Sequence, residues 1–351
     1  MTKLRKVLLY YVPRPPIMAY LQKAFTKQGV QVICSDAHAN NWVDKRLFHF
    51  INKQAHNFRI LPKSKNFFES HPLTQRNYRE AVLKQQFDEF KPDLCFMIRG
   101  LFGIQADTIK YLQRSSRLFG WWIESDDRVD QALAQAKDYE TFYVMNSSLH
   151  DAAISRGIHN TRIMHHAVDP EAFYPIEGIK KDIDICFVGS WSASRQKALE
   201  SVFQLTKNVV IYGRHWRKRL ADNAVLQSKV LGEYIGGHDL VVLYNRSRIV
   251  FNYTGWGNEQ TRSGFTMRTL EVPACKSLLL TDYSKDIEKI MTSREHLIMF
   301  KEMDEALENI ESILSNSRMA QQIATDGYEK VISCFTYDVI VRKIIEGYEK
   351  Q

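Results

Sequence analysis

Short apolar runs alternate with longer amphipathic stretches along this chain. Val7–Val12 is apolar throughout and predicts a buried strand. Pro16–Gln28 follows with Ile17, Tyr20, Leu21 and Ala24 on one face, the spacing of a helix. Val30–Ile33 predicts the next strand. Asn77–Phe90 predicts a helix that stops before Lys91-Pro92, because proline disfavours helical geometry in the residue before it. Leu94–Ile98, Leu118–Ile123, Thr141–Met145 and Thr161–Met164 predict four more strands. Helices are expected at Ala106–Arg114 and Arg128–Ala136.

A polar connector near 175–181 opens a second series. Its strands are expected at Ile183–Val188, Val209–Tyr212, Ile249–Tyr253 and Ser277–Thr281. Helices are expected at Ser194–Thr206, Gly237–Asn245, Thr266–Ala274, Asp304–Asn316, Ser317–Cys334 and Tyr337–Tyr348. Strands alternating with helices of this length imply parallel pairing. The expected fold class is α/β, with two Rossmann-like domains. In such sheets ligands sit beyond the carboxyl ends of the strands. Arg14, Arg99, Glu124, Asp126, Asp127 and Asn146 all follow apolar runs and so qualify as candidates.

The chain has 351 residues, 44% hydrophobic and 25% charged, with 16 glycines and 9 prolines. That is ordinary globular usage and length for about two domains. No apolar run approaches the roughly 20 residues of a membrane span. The first residues lack the apolar core of a signal peptide, so a cytoplasmic protein is expected. The five cysteines are far apart, and none has zinc-ligand spacing with another cysteine or a histidine. Most lie in apolar runs and read as small buried hydrophobes. The net charge of +8 favours anionic partners. It brings no nucleic-acid-binding motif with it, and no nucleic acid is expected as a partner.

The common phosphate loops GxxxxGK[ST] and GxGxxG, the GxSxG elbow and the HExxH motif are all absent. The most informative segment runs from Gly264 through Phe265, Thr266, Met267, Arg268 and Glu271 to Asp282. A small-residue loop opens a helix that carries an arginine and a glutamate three apart. A helix start offers free N–H groups to a phosphate. Arg268 would add a charge-assisted contact, and Glu271 could accept from ribose hydroxyls. The plainer alternative is an i,i+3 ion pair on a surface helix. Val188 likewise leads into Gly189, Ser190 and Arg195, and Ile211 into Tyr212, Gly213 and Trp216.

These pieces, in this order and spanning about 183–340, resemble the C-terminal half of CgeB-like (spore-maturation-protein type) glycosyltransferases of the GT-B architecture. The matching segments are Phe187–Ser190 with Arg195, Ile211–Gly213 with Trp216, Leu243–Asn245, Met267–Glu271 and Leu278–Asp282. The resemblance implies two domains facing each other across a cleft, with a nucleotide-sugar donor held by the second. By position, Gly189-Ser190 would face the diphosphate and Arg195 a phosphate. Tyr212, Gly213 and the Val230–Tyr234 loop would flank the base. Gly264–Met267 would offer amides to the phosphates, and Glu271 would hold the ribose. Many relatives carry a second glutamate eight positions earlier; here that position is Ser263.

In the first half, Phe119–Asp127 resembles the family's tryptophan strand followed by an acidic pair. Asp127, or else Asp126, is the candidate general base, the alternative being an N-cap for the next helix. Met164–Pro175 resembles the turn that ends the first domain in GT-B enzymes. His165 or His166 could face donor phosphates, move a proton or serve structure alone. The Arg214–Arg219 cluster is either a solvated face or a patch for phosphate or anionic lipid.

The expected organisation is an acceptor domain at 1–175, a donor domain at 176–335 and a final helix at 336–351 returning to the first domain. The expected reaction is transfer from a nucleoside-diphosphate sugar to a glycan, lipid-linked or protein acceptor. Neither a cofactor nor a metal is expected. The setting would be cell-surface, capsular or lipopolysaccharide synthesis, with possible peripheral contact at the inner face of the membrane. Two rivals remain at this stage: a nucleotide-sugar epimerase, and a non-catalytic binding protein on the same scaffold.

Overall fold

The computed structural model describes residues 3–11, 16–35, 41–99, 104–124, 128–220, 223–255 and 266–350. Two compact units partition the chain. Unit 1 comprises Met1–Met145, Leu149–Met164 and Val341–Gln351, and unit 2 comprises Asn146–Ser148 and His165–Ile340. The chain passes from one to the other after Met164, upstream of residue 175.

Unit 1 carries β1 (Lys6–Tyr10), α1 (Pro16–Lys27), β2 (Gln31–Cys34), a π-helical turn at Asp44–Phe48 running into α2 (His49–Asn57), α3 (Gln75–Phe90), β3 (Leu94–Arg99), α4 (Ala106–Leu112), β4 (Arg117–Trp122), α5 (Val129–Ala136), β5 (Thr141–Val144), α6 (Ser147–Ser155) and β6 (Thr161–Ile163). The sheet order is β2-β1-β3-β4-β5-β6, and every pairing is parallel. Thr74 caps α3 by accepting from the Asn77 amide, and Lys91 ends it in the left-handed conformation ahead of Pro92.

Unit 2 carries β7 (Ile183–Val188), α7 (Ala193–Leu205), β8 (Val209–Tyr212), α8 (Trp216–Arg219), α9 (Ala224–Gln227), β9 (Val230–Gly232), α10 (Gly237–Arg246), β10 (Ser247–Asn252), α11 (Arg268–Ala274), β11 (Leu279–Asp282), α12 (Lys285–Glu288), β12 (Ile298–Phe300), α13 (Met303–Ser315), α14 (Ser317–Cys334) and the start of α15 (Tyr337–Glu349). Its order is β12-β11-β10-β7-β8-β9, again parallel throughout. Successive residues serve opposite faces: Phe187, Phe251 and Leu280 join one core cluster, Cys186, Val250 and Leu279 the other. A sheet covered on both sides must be apolar on both, which is why its strands read as unbroken apolar runs.

Three differences from the sequence expectation have physical causes. β9 and β12 are edge strands of three residues, too short to show a period. The π-helical turn interrupts the 3.6-residue repeat before α2. At Arg128–Ala136 the helix starts one residue later, with Arg128 at the cap position of α5. The last turns of α15 belong to unit 1. There Arg117 donates to the Tyr348 carbonyl at 2.6 Å and lies over its ring, and the Leu4 amide reaches Glu349. Among the described residues no helix is long and apolar enough to cross a membrane.

Candidate active site

In unit 2 the chain runs outward from β7 through β8 to β9, then returns to place β10 on the other side of β7. The order reverses between β7 and β10, the place where parallel sheets open a crevice for ligands. Three of the sequence-predicted side chains gather around that point.

Arg195 lies in the first turn of α7, whose start is capped by Ser192 accepting from the Arg195 amide. Its guanidinium donates to the Ser190 carbonyl at 2.9 Å and to the Tyr253 carbonyl, just past β10, at 2.8 Å. It is thereby fixed across the reversal. Arg268, the first residue of α11, donates to Asn252 at the end of β10 at 3.3 Å. The two cations feel each other: burial, then the charge of Arg268, lowers the Arg195 pKa, and Asp282 opposes them.

Glu271 sits one turn along α11 and is 8% exposed. Burial raises its pKa to about 7, while Arg268 pulls the other way. No ion pair joins Arg268 to Glu271 among the described residues, so the surface-pair alternative does not hold. Thr266 Oγ1, Arg268 Nε and Thr269 Oγ1 are buried with no hydrogen-bond partner among the described residues. Buried polar groups normally find one, because leaving a donor unpaired costs about 1–3 kcal/mol. Three such groups lie together at the start of α11.

The turn after β7 is shaped by glycine. Gly213 has φ +155°, and a Cβ there would lie 1.8 Å from the Gly189 carbonyl oxygen. The buried Trp216 indole donates to that same oxygen at 2.7 Å. The Gly189 amide donates to the Tyr212 carbonyl, and the Gly213 amide to the Gly232 carbonyl. Gly189, Ser190, Tyr212 and Gly213 thus form one backbone assembly at the ends of β7, β8 and β9. Tyr234, 82% exposed, lies just beyond β9.

Sequence reasoning gave no role to Asp282. Its buried carboxylate accepts from the Thr254 and Gly255 amides at 3.0 Å and from the Thr254 hydroxyl at 2.5 Å. It therefore anchors the chain leaving β10. The available signal was an acidic residue closing an apolar strand.

The other candidates divide. Gly264, Phe265, Asp126, Asp127 and Arg14 lie outside the described residues, and Arg99 ends β3. Met267 precedes α11 in helical geometry without capping it. Asn146 is buried and is grouped with unit 2. His166 also belongs to unit 2; burial and then His165 lower its pKa to about 4. It is uncharged at neutral pH and a weak proton acceptor. In the basic cluster, Arg217 donates to the Val230 and Leu231 carbonyls and Arg219 covers the Trp191 ring. Cys95, Cys186 and Cys275 are buried, with thiols pushed up to about 12 by burial, so they are unreactive. Among the described residues no group of three or more His, Cys, Asp or Glu could hold a metal ion.

Residues 195–346 match a protein-family model described as "Glycosyl transferase-like". No curated protein matches the chain by sequence. Solved structures match it over nearly its whole length. Sucrose-phosphate synthase from Thermosynechococcus elongatus is 13% identical, with 99% of this chain and 98% of that one covered and a TM-score of 0.65. A glycosyltransferase from Rickettsia africae is 12% identical, with 99% and 98% covered and a TM-score of 0.65. Anabaena HepE, in complex with UDP and glucose, is 12% identical, with 99% and 100% covered and a TM-score of 0.67. Residues 195–346 thus match a glycosyl transferase-like family model, and the two parallel six-stranded sheets have the GT-B fold of these solved structures.

Proposed function

We propose that this chain is a glycosyltransferase of the CgeB-like type. It moves a sugar from a nucleoside-diphosphate sugar to a glycan, lipid-linked or protein acceptor in cell-surface polysaccharide synthesis. The observation that carries the donor site is the set of buried groups without a partner among the described residues at the start of α11, beside Arg195 and the buried Glu271. Arg195 and Arg268 take the diphosphate and stabilise it as it leaves. Thr266 and the backbone around Met267 add donors to the same oxygens. The turn at Gly189-Ser190 packs close to the phosphates because Gly213 brings no side chain there. Glu271 accepts the ribose hydroxyls, and Tyr212 and Tyr234 flank the base.

Such a site accelerates transfer by positioning and by electrostatic stabilisation of the leaving group. Two cations already placed for the leaving charge make a metal unnecessary. Residues 1–175 receive the acceptor, with Asp127 taking the proton of its hydroxyl and Asp126 next in line. The enzyme works in the cytoplasm, in peripheral contact with the membrane. UDP is the first nucleotide to try: HepE has been solved with UDP-glucose, and Staphylococcus aureus TarM with UDP and α-GlcNAc-glycerol.

A thermal-shift panel with UDP, GDP, dTDP, CDP and ADP, repeated in EDTA, tests the reading. A nucleotide at about 100 times its Kd adds roughly 2.7 kcal/mol of stability. One nucleotide should shift the melt equally with and without EDTA. No shift from any of them would refute the donor site, and a shift abolished by EDTA would refute metal independence.

A further inference from the structure

We infer that the exposed aromatic and basic face of residues 42–67 docks the protein on an anionic lipid bilayer. The inference rests on the membrane contact in the reading above, and it places that contact in unit 1.

Seven of the thirteen large hydrophobic side chains exposed among the described residues lie between 42 and 73: Trp42, Leu47, Phe50, Phe58, Ile60, Phe67 and Leu73. Trp42 is 66% exposed and Phe58 73%. Single exposed apolar residues need no explanation, but a concentration of them marks a contact surface. The segment is held from beneath. Phe48 is buried and stacks on Phe68 at 4.1 Å, with His71 edge-on. Gln75 accepts from the Asn41 amide and Asn52 from the Phe67 amide. His56 bonds the Lys65 carbonyl. The backbone that presents the aromatics is therefore already ordered.

Charge decides the occupant. Interleaved with the aromatics are Lys45, Arg46, Lys53, Arg59, Lys63 and Lys65, against only Asp44 and Glu69 between 42 and 73. A polar cavity of about 1020 Å³ opens in the same segment, with Lys53, Lys63 and Arg76 but also Asp44 and Glu69 in its lining. Aromatic rings beside Lys and Arg suit the headgroup layer of a bilayer, where rings settle at the interface and cations meet lipid phosphate. A second copy of the same face would set cation against cation. An uncharged peptide groove would not need six cations.

The test is sedimentation of the full chain with phosphatidylcholine vesicles, alone and mixed with phosphatidylglycerol. Binding should appear only with the anionic lipid and weaken with salt. Lys45→Gln, Arg46→Gln and Lys53→Gln together should lower vesicle affinity on the order of a hundredfold, about fivefold per cation. Trp42→Ser or Phe50→Ser should each lower it about tenfold. All these side chains are at the surface, so the melts and nucleotide shifts of the variants should match the parent. That separates failure here from failure of the donor site. Absence of binding to anionic vesicles would overturn the inference. Equal binding by the variants would also overturn it, by moving the contact elsewhere, for example to Arg214–Arg219. Concentration-dependent self-association that the variants abolish, without vesicle binding, would assign the face to a second copy and refute the lipid assignment.

Discussion

Replacing Glu271 by glutamine should make the nucleotide-free protein more stable and the donor site worse. The glutamate is buried on α11 with no hydrogen bond or ion pair among the described residues, and the Arg268 charge compensates only part of its burial. Its pKa rises from 4.5 to about 7. In the unfolded chain the carboxyl loses its proton near the lower value, in the fold near the higher one. Below 4.5 both states are protonated and the group has no effect on stability. Between 4.5 and 7 the fold holds a proton that the unfolded chain has released, so stability falls as pH rises, and then levels off. At 1.36 kcal/mol per pH unit, the total loss is about 3 kcal/mol. Glutamine has no proton to lose and escapes this penalty.

Urea denaturation of parent and Glu271→Gln at about pH 5 and about pH 8 reads the effect as a gap that opens with pH. The variant should lead by up to about 3 kcal/mol at the higher pH and by only about 1 kcal/mol at the lower. Donor hydroxyls favour the ionised carboxylate, so nucleotide affinity in the parent should rise with pH towards a plateau above 7. The variant should bind more weakly and without that rise. A pH-independent gap, or a variant less stable than the parent at the higher pH, would refute the claim that Glu271 is buried for the ligand's sake.

Three further outcomes are expected. Gly213→Ala should destabilise by about 3 kcal/mol or more, since the clash is with backbone, and should abolish the nucleotide shift in the same melt; a parent-like melt would contradict the 1.8 Å approach to Gly189. Arg268→Gln should weaken nucleotide binding by roughly tenfold to a hundredfold, the worth of a charge-assisted bond. Asp127→Asn should cut kcat by about 10²–10⁴ with the donor KM little changed, and intact turnover would end its assignment as base.

The alternating α/β pattern was legible because parallel strands covered on both faces are apolar at every position. β7, β8 and α14 coincide with the apolar and amphipathic stretches that predict them. Where the pattern is short, as in β9 and β12, or has an interrupted period, as before α2, it carries too little information. The placement of Arg195, Arg268 and Glu271 on helices was legible because each opens, or nearly opens, a helix that follows an apolar strand in sequence. Asp282 was not, because its partners at Thr254 and Gly255 are 28 and 27 residues away and meet it only once β10 and β11 pair. The contact from Trp216 to Gly189 spans 27 residues for the same reason.

The end of α15 sets an order of events for a chain leaving the ribosome. Unit 1 is encoded first, yet Val341–Gln351 belongs to it. Arg117, Phe119 and Leu4 lack Tyr348 and Glu349 until translation has passed residue 349. Unit 2 has all of its residues by Ile340. The usual sequence, in which the earlier-made domain settles first, is thus inverted for completion. A nascent unit 1 waits with part of its surface uncovered while the later unit closes, and a nonsense mutation late in the gene would damage the part of the protein made earliest.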